Sequence, residues 1–212
     1  MEKELQELID ISRCTGSDSS LVLGPYGNTS VKTDDGRYMY IKASGANLAD
    51  MSESAGWRKL RLEDIQKAAC DPDIAGSGDI ERDNLIAEIL FNSTCDDFPD
   101  EIKPSVESSF HALLGKYVVH LHPAAVLGYA CCENGRQLVA DLFGKPEFSP
   151  VWVPHASFGM DLALQIADAS CEYATTYGCV PRMFVFQNHG FAVTANEIED
   201  INELIDNAMG LF

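Results

Sequence analysis

Nowhere does this sequence run through the roughly 18 consecutive apolar residues that mark a bilayer-spanning helix, so no transmembrane segment is expected. The opening stretch, MEKELQELIDIS, mixes charge with Leu and Ile and has no apolar block of the signal-peptide kind, which predicts a cytoplasmic protein. Basic residues are scarce: 15 Lys plus Arg stand against 33 Asp plus Glu, a formal net charge of −18. Phosphate contacts drive binding to nucleic acid and to anionic lipid, and so acidic a chain repels both; neither is expected as a partner. Paired cysteine motifs are missing as well. The seven cysteines (Cys14, Cys70, Cys95, Cys131, Cys132, Cys171 and Cys179) are odd in number, contain no CxxC and include one adjacent pair. That excludes a disulfide framework and a zinc-finger spacing, and the thiols are expected to be reduced and mostly buried. Internal repeats and low-complexity tracts are absent too. What remains, 46% hydrophobic and 23% charged over 212 residues, is the composition of one globular domain spanning residues 1–212.

Leu5, Leu8 and Ile9 form a helical stripe over residues 3–13, ended by the polar stretch Thr15–Ser20. Two β-like runs follow, Thr29–Thr33 and Tyr38–Lys42, and the Asp35-Gly36 step between them signals a hairpin. Residues 50–104 are the hardest to read: Ile80–Phe91 is helical between a Gly-Ser-Gly turn and Asp96-Asp97-Phe98-Pro99, and serves either specificity or packing. A helix is expected over Ser105–Leu114, a strand over Lys116–His122 and a helix over Pro123–Cys132. The rest reads as a strand at Val151–Val153, a helix at Met160–Tyr177, a strand at Met183–Gln187 and a closing helix at Ile198–Met209. Helices alternating with strands, with an early antiparallel hairpin, predict a layered α/β domain.

His120 and His122, two apart at a strand end, project from one face of that strand. His189, in Asn188-His189-Gly190, ends another apolar run at a strand-to-loop junction. Three imidazoles with an open fourth position are the layout of a catalytic zinc site, whereas a lone histidine near a strand end is ordinarily packed or hydrogen-bonded. Glu107 sits in the first turn of a helix, where an acidic residue is ordinary dipole and cap chemistry. The alternative makes it a general acid/base with its pKa raised by partial burial. Gly27-Asn28, Ser44-Gly45 and Ser105 are small or hydroxyl-bearing loop sites; each alone is a commonplace turn, and together they can form an anion nest. The acidic chain slows a phosphorylated substrate unless a metal ion or such a nest reverses the field locally.

In this order, Gly27-Asn28-Thr29-Ser30-Val31-Lys32, Ile41-Lys42-Ala43-Ser44-Gly45, Pro104-Ser105-Val106-Glu107 through His111, Val118-Val119-His120-Leu121-His122, Val153–Gly159 and Gln187-Asn188-His189-Gly190 resemble the class II aldolase/adducin family. The resemblance implies a three-layer α/β/α fold with a mixed, mostly antiparallel central sheet, assembled as a homotetramer. It implies zinc or another divalent transition metal on His120, His122 and His189, with Glu107 as catalytic acid/base. Gly27, Asn28, Ser44, Gly45 and Ser105 would then hold the phosphate of a sugar phosphate. The implied reaction cleaves a ketose 1-phosphate to dihydroxyacetone phosphate and an aldehyde through a metal-stabilised enediolate. A 4-epimerase, a dehydratase, a decarboxylase or a non-catalytic metal-stabilised scaffold would use the same residues. Val106 stands where fuculose-phosphate aldolases carry a second hydroxyl residue, and His155 where they usually have Tyr. His155 is therefore either a stand-in at the aldehyde-side oxygen or a packed strand-end histidine.

Overall fold

The computed structural model of the chain describes residues 1–145 and 149–212. The apolar stripe of Leu5, Leu8 and Ile9 is buried in α1 (Lys3–Ser17). Ser12 and Thr15 are buried with it because their hydroxyls donate to the Leu8 and Ile11 carbonyls one turn back, at 2.6 and 2.8 Å. Ser12 also shares a 2.6 Å hydrogen bond with Thr29, tying α1 to the strand β1 (Asn28–Lys32). The expected hairpin is present: β2 (Tyr38–Lys42) pairs antiparallel with β1, Val31 opposite Tyr40. Its loop turns on Gly36 at φ 69°, and the Asp35 carboxylate accepts from the Thr33 hydroxyl at 2.6 Å and the Arg37 N–H at 3.0 Å.

The stretch that was hard to read supplies an edge strand and a helical cover: β3 (Trp57–Arg61), α2 (Leu62–Ala69), α3 (Pro72–Gly76) and α4 (Asp79–Asn92). Then come α5 (Ser108–Leu113), β4 (Tyr117–Leu121), α6 (Ala124–Ala130) and α7 (Gly135–Phe143). The chain finishes with β5 (Val151–Val153), α8 (Met160–Tyr177), β6 (Met183–Phe186), β7 (Gly190–Ala195) and α9 (Ile198–Met209). The strands form one sheet in the order β3-β2-β1-β4-β7-β6-β5, antiparallel throughout except between β5 and β6. Alternation along the central β4 feeds two cores. Tyr117, Val119 and Leu121 join Leu8 of α1 and Ile201 of α9; Val118 joins Phe110 of α5 and Ile166 of α8. Helices therefore cover both faces, and the chain adopts the expected three-layer α/β/α sandwich. No helix among the described residues is long and apolar enough to cross a membrane.

Several expectations are corrected. The helix foreseen from Ser105 begins at Ser108, because Pro104 is still in β-bridge contact with Ala43 and keeps the preceding chain extended. The strand β7 was not foreseen; it is buried at every position, so its sequence lacks the alternation that marks a half-buried strand. All seven cysteines are exposed rather than mostly buried. Cys14 and Cys171 lie on the solvent sides of α1 and α8, and Cys70, Cys131 and Cys179 just beyond helix ends, so none reaches a core.

Arg58 of β3, only 1% exposed, donates from Nε to Asp96 Oδ2 at 3.0 Å and from Nη1 to the Ile102 carbonyl. Asp96 also accepts the Lys59 N–H at 2.7 Å. This buried pair fastens residues 96–102 to the sheet edge, immediately before the chain reaches Ser105 and Glu107. Removing one member strands the other's charge in the interior, so Arg58→Met should lower unfolding free energy by about 3–5 kcal/mol. Urea denaturation reads this, and a loss below about 1 kcal/mol would place the pair among weak surface contacts.

Candidate active site

β4 carries His120 toward the α5 side of the sheet, where Val118 also points, and His122 follows as Pro123 closes the strand. The turn between β6 and β7 delivers the third ring: Asn188 takes the left-handed φ of 57°, which Asn tolerates better than most residues, and His189 follows it. The ring nitrogens converge. His120 Nε2 lies 3.0 Å from His122 Nε2 and 3.2 Å from His189 Nε2. Two glycines make room. A Cβ on Gly190 would meet His122 Cδ2 at 2.4 Å and His120 Cε1 at 2.9 Å; one on Gly27, at φ 85°, would meet the His120 carbonyl at 2.6 Å. Phe158 stands edge-on to His189 at 4.8 Å between centroids, and Tyr26 lies 6.1 Å from His122; both rings are largely exposed.

The donor set suits a cation. His120 Nδ1 is 3.0 Å from the Phe191 carbonyl, which can only accept, so the proton belongs on Nδ1 and Nε2 presents a lone pair. One neighbouring imidazole can donate into that lone pair; two cannot both do so. His189 can instead donate to Glu107 Oε1 at 3.2 Å, so protons can satisfy the cluster, and three nitrogens gathered this closely are also a donor set that could hold one metal ion. Burial, reinforced at His122 by the neighbouring rings, lowers the pKa of His120 to about 4 and of His122 to about 3, so both are neutral at neutral pH, as ligands must be.

Glu107 caps α5 from its N-terminal side and is 7% exposed. Its Oε1 is 3.2 Å from His189 Nε2 and its Oε2 3.5 Å from His120 Nε2. The expected raised pKa is corrected. Burial alone pushes the carboxyl up, but His120, His189 and the Asn28 amide outweigh it and hold the group well below the usual carboxylate range. Asn28 Nδ2 donates to Glu107 Oε2 at 2.6 Å, which leaves Asn28 Oδ1 facing His111 Nε2. His111 Nδ1 in turn meets the Ser30 hydroxyl at 2.8 Å. Because the carboxylate can only accept, the proton pattern of the chain follows: Ser30 donates to His111, His111 to Asn28, Asn28 to Glu107. The sequence reading included His111 in a matching stretch but assigned it no role; its signal is a histidine one helical turn after Glu107.

The remaining candidates gather on the same corner. Asn28 Nδ2 also reaches Ser105 Oγ at 3.1 Å, and the Glu107 N–H donates to that hydroxyl at 3.3 Å, leaving its own proton free to point outward. The Ser44–Gly45 turn is exposed and joined to this segment because the Ser44 N–H donates to the Lys103 carbonyl at 2.8 Å. Ser44 therefore offers its hydroxyl, not its amide, to a ligand. His155 lies apart and exposed. It lines a cavity of about 470 Å³ with Arg82, Asp161 and Asp168, so it is not a packed histidine, and Phe158 is the residue of its segment that meets His189.

Known proteins resemble this chain in sequence and in fold. The sequence matches the family described as Class II Aldolase and Adducin N-terminal domain over residues 6–208. The uncharacterized oxidoreductase YuxG of Bacillus subtilis (strain 168) is 32% identical over 178 residues, which are 79% of this chain and 24% of that protein. The chain thus spans about a quarter of the length of that relative. The N-terminal class II aldolase domain of a conserved Thermoplasma acidophilum protein superposes with TM-score 0.72 at 27% identity, covering 99% of this chain and 95% of that one. An L-fuculose 1-phosphate aldolase shares the fold at TM-score 0.65 and 14% identity, over 100% of this chain and 84% of that one. With nearly the whole length matched, the chain belongs to the class II aldolase and adducin family.

Proposed function

We propose that the chain is a metal-dependent lyase that cleaves a ketose 1-phosphate into dihydroxyacetone phosphate and an aldehyde. Zinc or a similar divalent ion would be held by His120, His122 and His189. The observation that carries the reading is the convergence of those three nitrogens beside a buried carboxylate, a cost in buried charge that a scaffold has no use for. Such an ion supplies positive charge against an oxygen that becomes anionic as the carbon–carbon bond breaks.

The protein's own groups do the rest. Glu107, ionised at rest, takes the proton from the carbon beside the carbonyl in the condensation direction and returns it in cleavage. Asn28, held by His111 and Ser30, keeps the carboxylate oriented. Gly27, Asn28, Ser44, Gly45 and Ser105 receive the phosphate. Tyr26 and Phe158 stand exposed beside His122 and His189; the cytoplasmic homotetramer rests on the family resemblance alone.

Product identity tests the reaction. Dihydroxyacetone phosphate released from a panel of ketose 1-phosphates is the expected result. An inverted ketopentose phosphate would assign a 4-epimerase, loss of water or carbon dioxide a dehydratase or decarboxylase, and no turnover with metal bound a scaffold. Glu107→Gln should keep the metal and lose about 10²–10⁴-fold in kcat, the usual worth of a positioned acid/base; full activity would remove Glu107 from that role. His111→Leu should retain stoichiometric metal and an unchanged KM while kcat falls about 10- to 100-fold, the size seen when a supporting hydrogen bond behind a reactive group is cut. Loss of metal or a change confined to KM would contradict a role in positioning Glu107 through Asn28.

A further inference from the structure

The helix α4 lies in the stretch whose sequence leaves specificity and packing both open. Its packing face is plain: Arg82, Ile86 and Leu90, one turn apart, are buried. Arg82 turns its guanidinium to Asp79 and Asp161. Asp83, the next residue, falls at the shoulder of that face and is exposed. Among the described residues its carboxylate has no ion-pair or hydrogen-bond partner.

Gly159 shows where that carboxylate ends. A Cβ on Gly159 would lie 3.9 Å from Asp83 Oδ1 and 3.8 Å from the Val106 carbonyl oxygen. Gly159 stands at φ 88°, a conformation that side chains avoid, at the head of α8. Both neighbours of this gap lead into the site. Val106 precedes Glu107, and Phe158, edge-on to His189 at 4.8 Å, precedes Gly159. Glu107 also gives the site two ends: its Oε2 accepts from Asn28, on the side proposed for the phosphate, and its Oε1 faces His189. Asp83 therefore stands at the His189 end, where a carboxylate is the wrong charge for phosphate. An ionised carboxylate accepts hydrogen bonds, cannot donate them, and repels another anion. Phe158 and Val106, both exposed, supply apolar surface on either side. Apolar walls around one fixed acceptor suit a hydroxylated carbon chain.

We propose that Asp83 selects the aldehyde end of the substrate, accepting a hydrogen bond from a hydroxyl on its tail and turning away a tail that carries negative charge. The proposal rests on the cleavage reaction proposed above and names the kind of aldehyde it releases. The test runs that reaction as a condensation. Metal-loaded wild type, Asp83→Ala and Asp83→Asn are given dihydroxyacetone phosphate with glyceraldehyde, butanal or glyceraldehyde 3-phosphate, and kcat/KM is measured for each aldehyde. Wild type should favour glyceraldehyde over both others. In Asp83→Ala its advantage over butanal should fall about 10-fold, the loss expected for one charge-assisted hydrogen bond at an exposed position. Its advantage over glyceraldehyde 3-phosphate should fall in both variants. High salt should erode that second advantage in wild type, because it is a charge effect in water. Metal content and melting midpoint should match wild type; loss of either would make Asp83 a structural residue and overturn the assignment. An equal change for all three aldehydes would do the same. Wild type that condenses none of them removes the aldolase reading and Asp83 with it. Condensation with ratios that Asp83→Ala leaves unmoved removes Asp83 alone.

Discussion

Two imidazole nitrogens lie 3.0 and 3.2 Å from a third, a donor set that could hold one cation, and much of the chain is arranged around that convergence. His120 is held by the Phe191 carbonyl, which exists in that place because β7 pairs with β4. His189 is delivered by a turn whose Asn188 takes a left-handed conformation. Gly190 lacks a side chain where any Cβ would strike His122 and His120. Each of these is a local cost in strain or backbone entropy, tolerated because the central strands around it are wholly buried.

The sheet is what brings sequence-distant groups to one point. Asn28 lies directly opposite His120 across the β1–β4 register, and Ala192 opposite it across β4–β7. Glu107 arrives from α5, whose Phe110 packs on both His120 and Phe186, so the helix that carries the carboxylate is also part of the wall behind the histidines. Charge follows the same logic. The site is locally provisioned with neutral imidazoles and an ionised carboxylate, inside a chain whose overall field repels anions.

Much of this was legible in advance. Period-2 and period-3.6 patterns located α1, the β1–β2 hairpin, α8 and α9 closely, because each buries one clear stripe against a full layer. The histidine trio and Glu107 were readable from strand-end placement and motif order. The misses have a common cause, which is dependence on partners that a linear sequence does not display. β7 is buried along its whole length and so shows no period-2 alternation to announce it. β3 and α2 are edge elements with mixed faces, and residues 96–102 are ordered by the Arg58–Asp96 pair rather than by a local pattern. The direction of the Glu107 shift was misjudged because burial is guessable from sequence, whereas the His120, His189 and Asn28 neighbours that outweigh it are not. The cysteines were misplaced for the opposite reason: their intrinsic preference for the interior was overridden by positions on outer helix faces and ends.

The central claim is that one cation sits on three imidazoles. X-ray absorption at the metal edge of the purified protein, with elemental analysis of the same sample, addresses it directly, because histidine and cysteine ligands differ in bond length and the surface carries seven exposed thiols. The account predicts one ion per chain with nitrogen ligands at about 2.0–2.1 Å and imidazole scattering beyond them. Substoichiometric metal, or a first shell dominated by sulfur at about 2.3 Å, would contradict it.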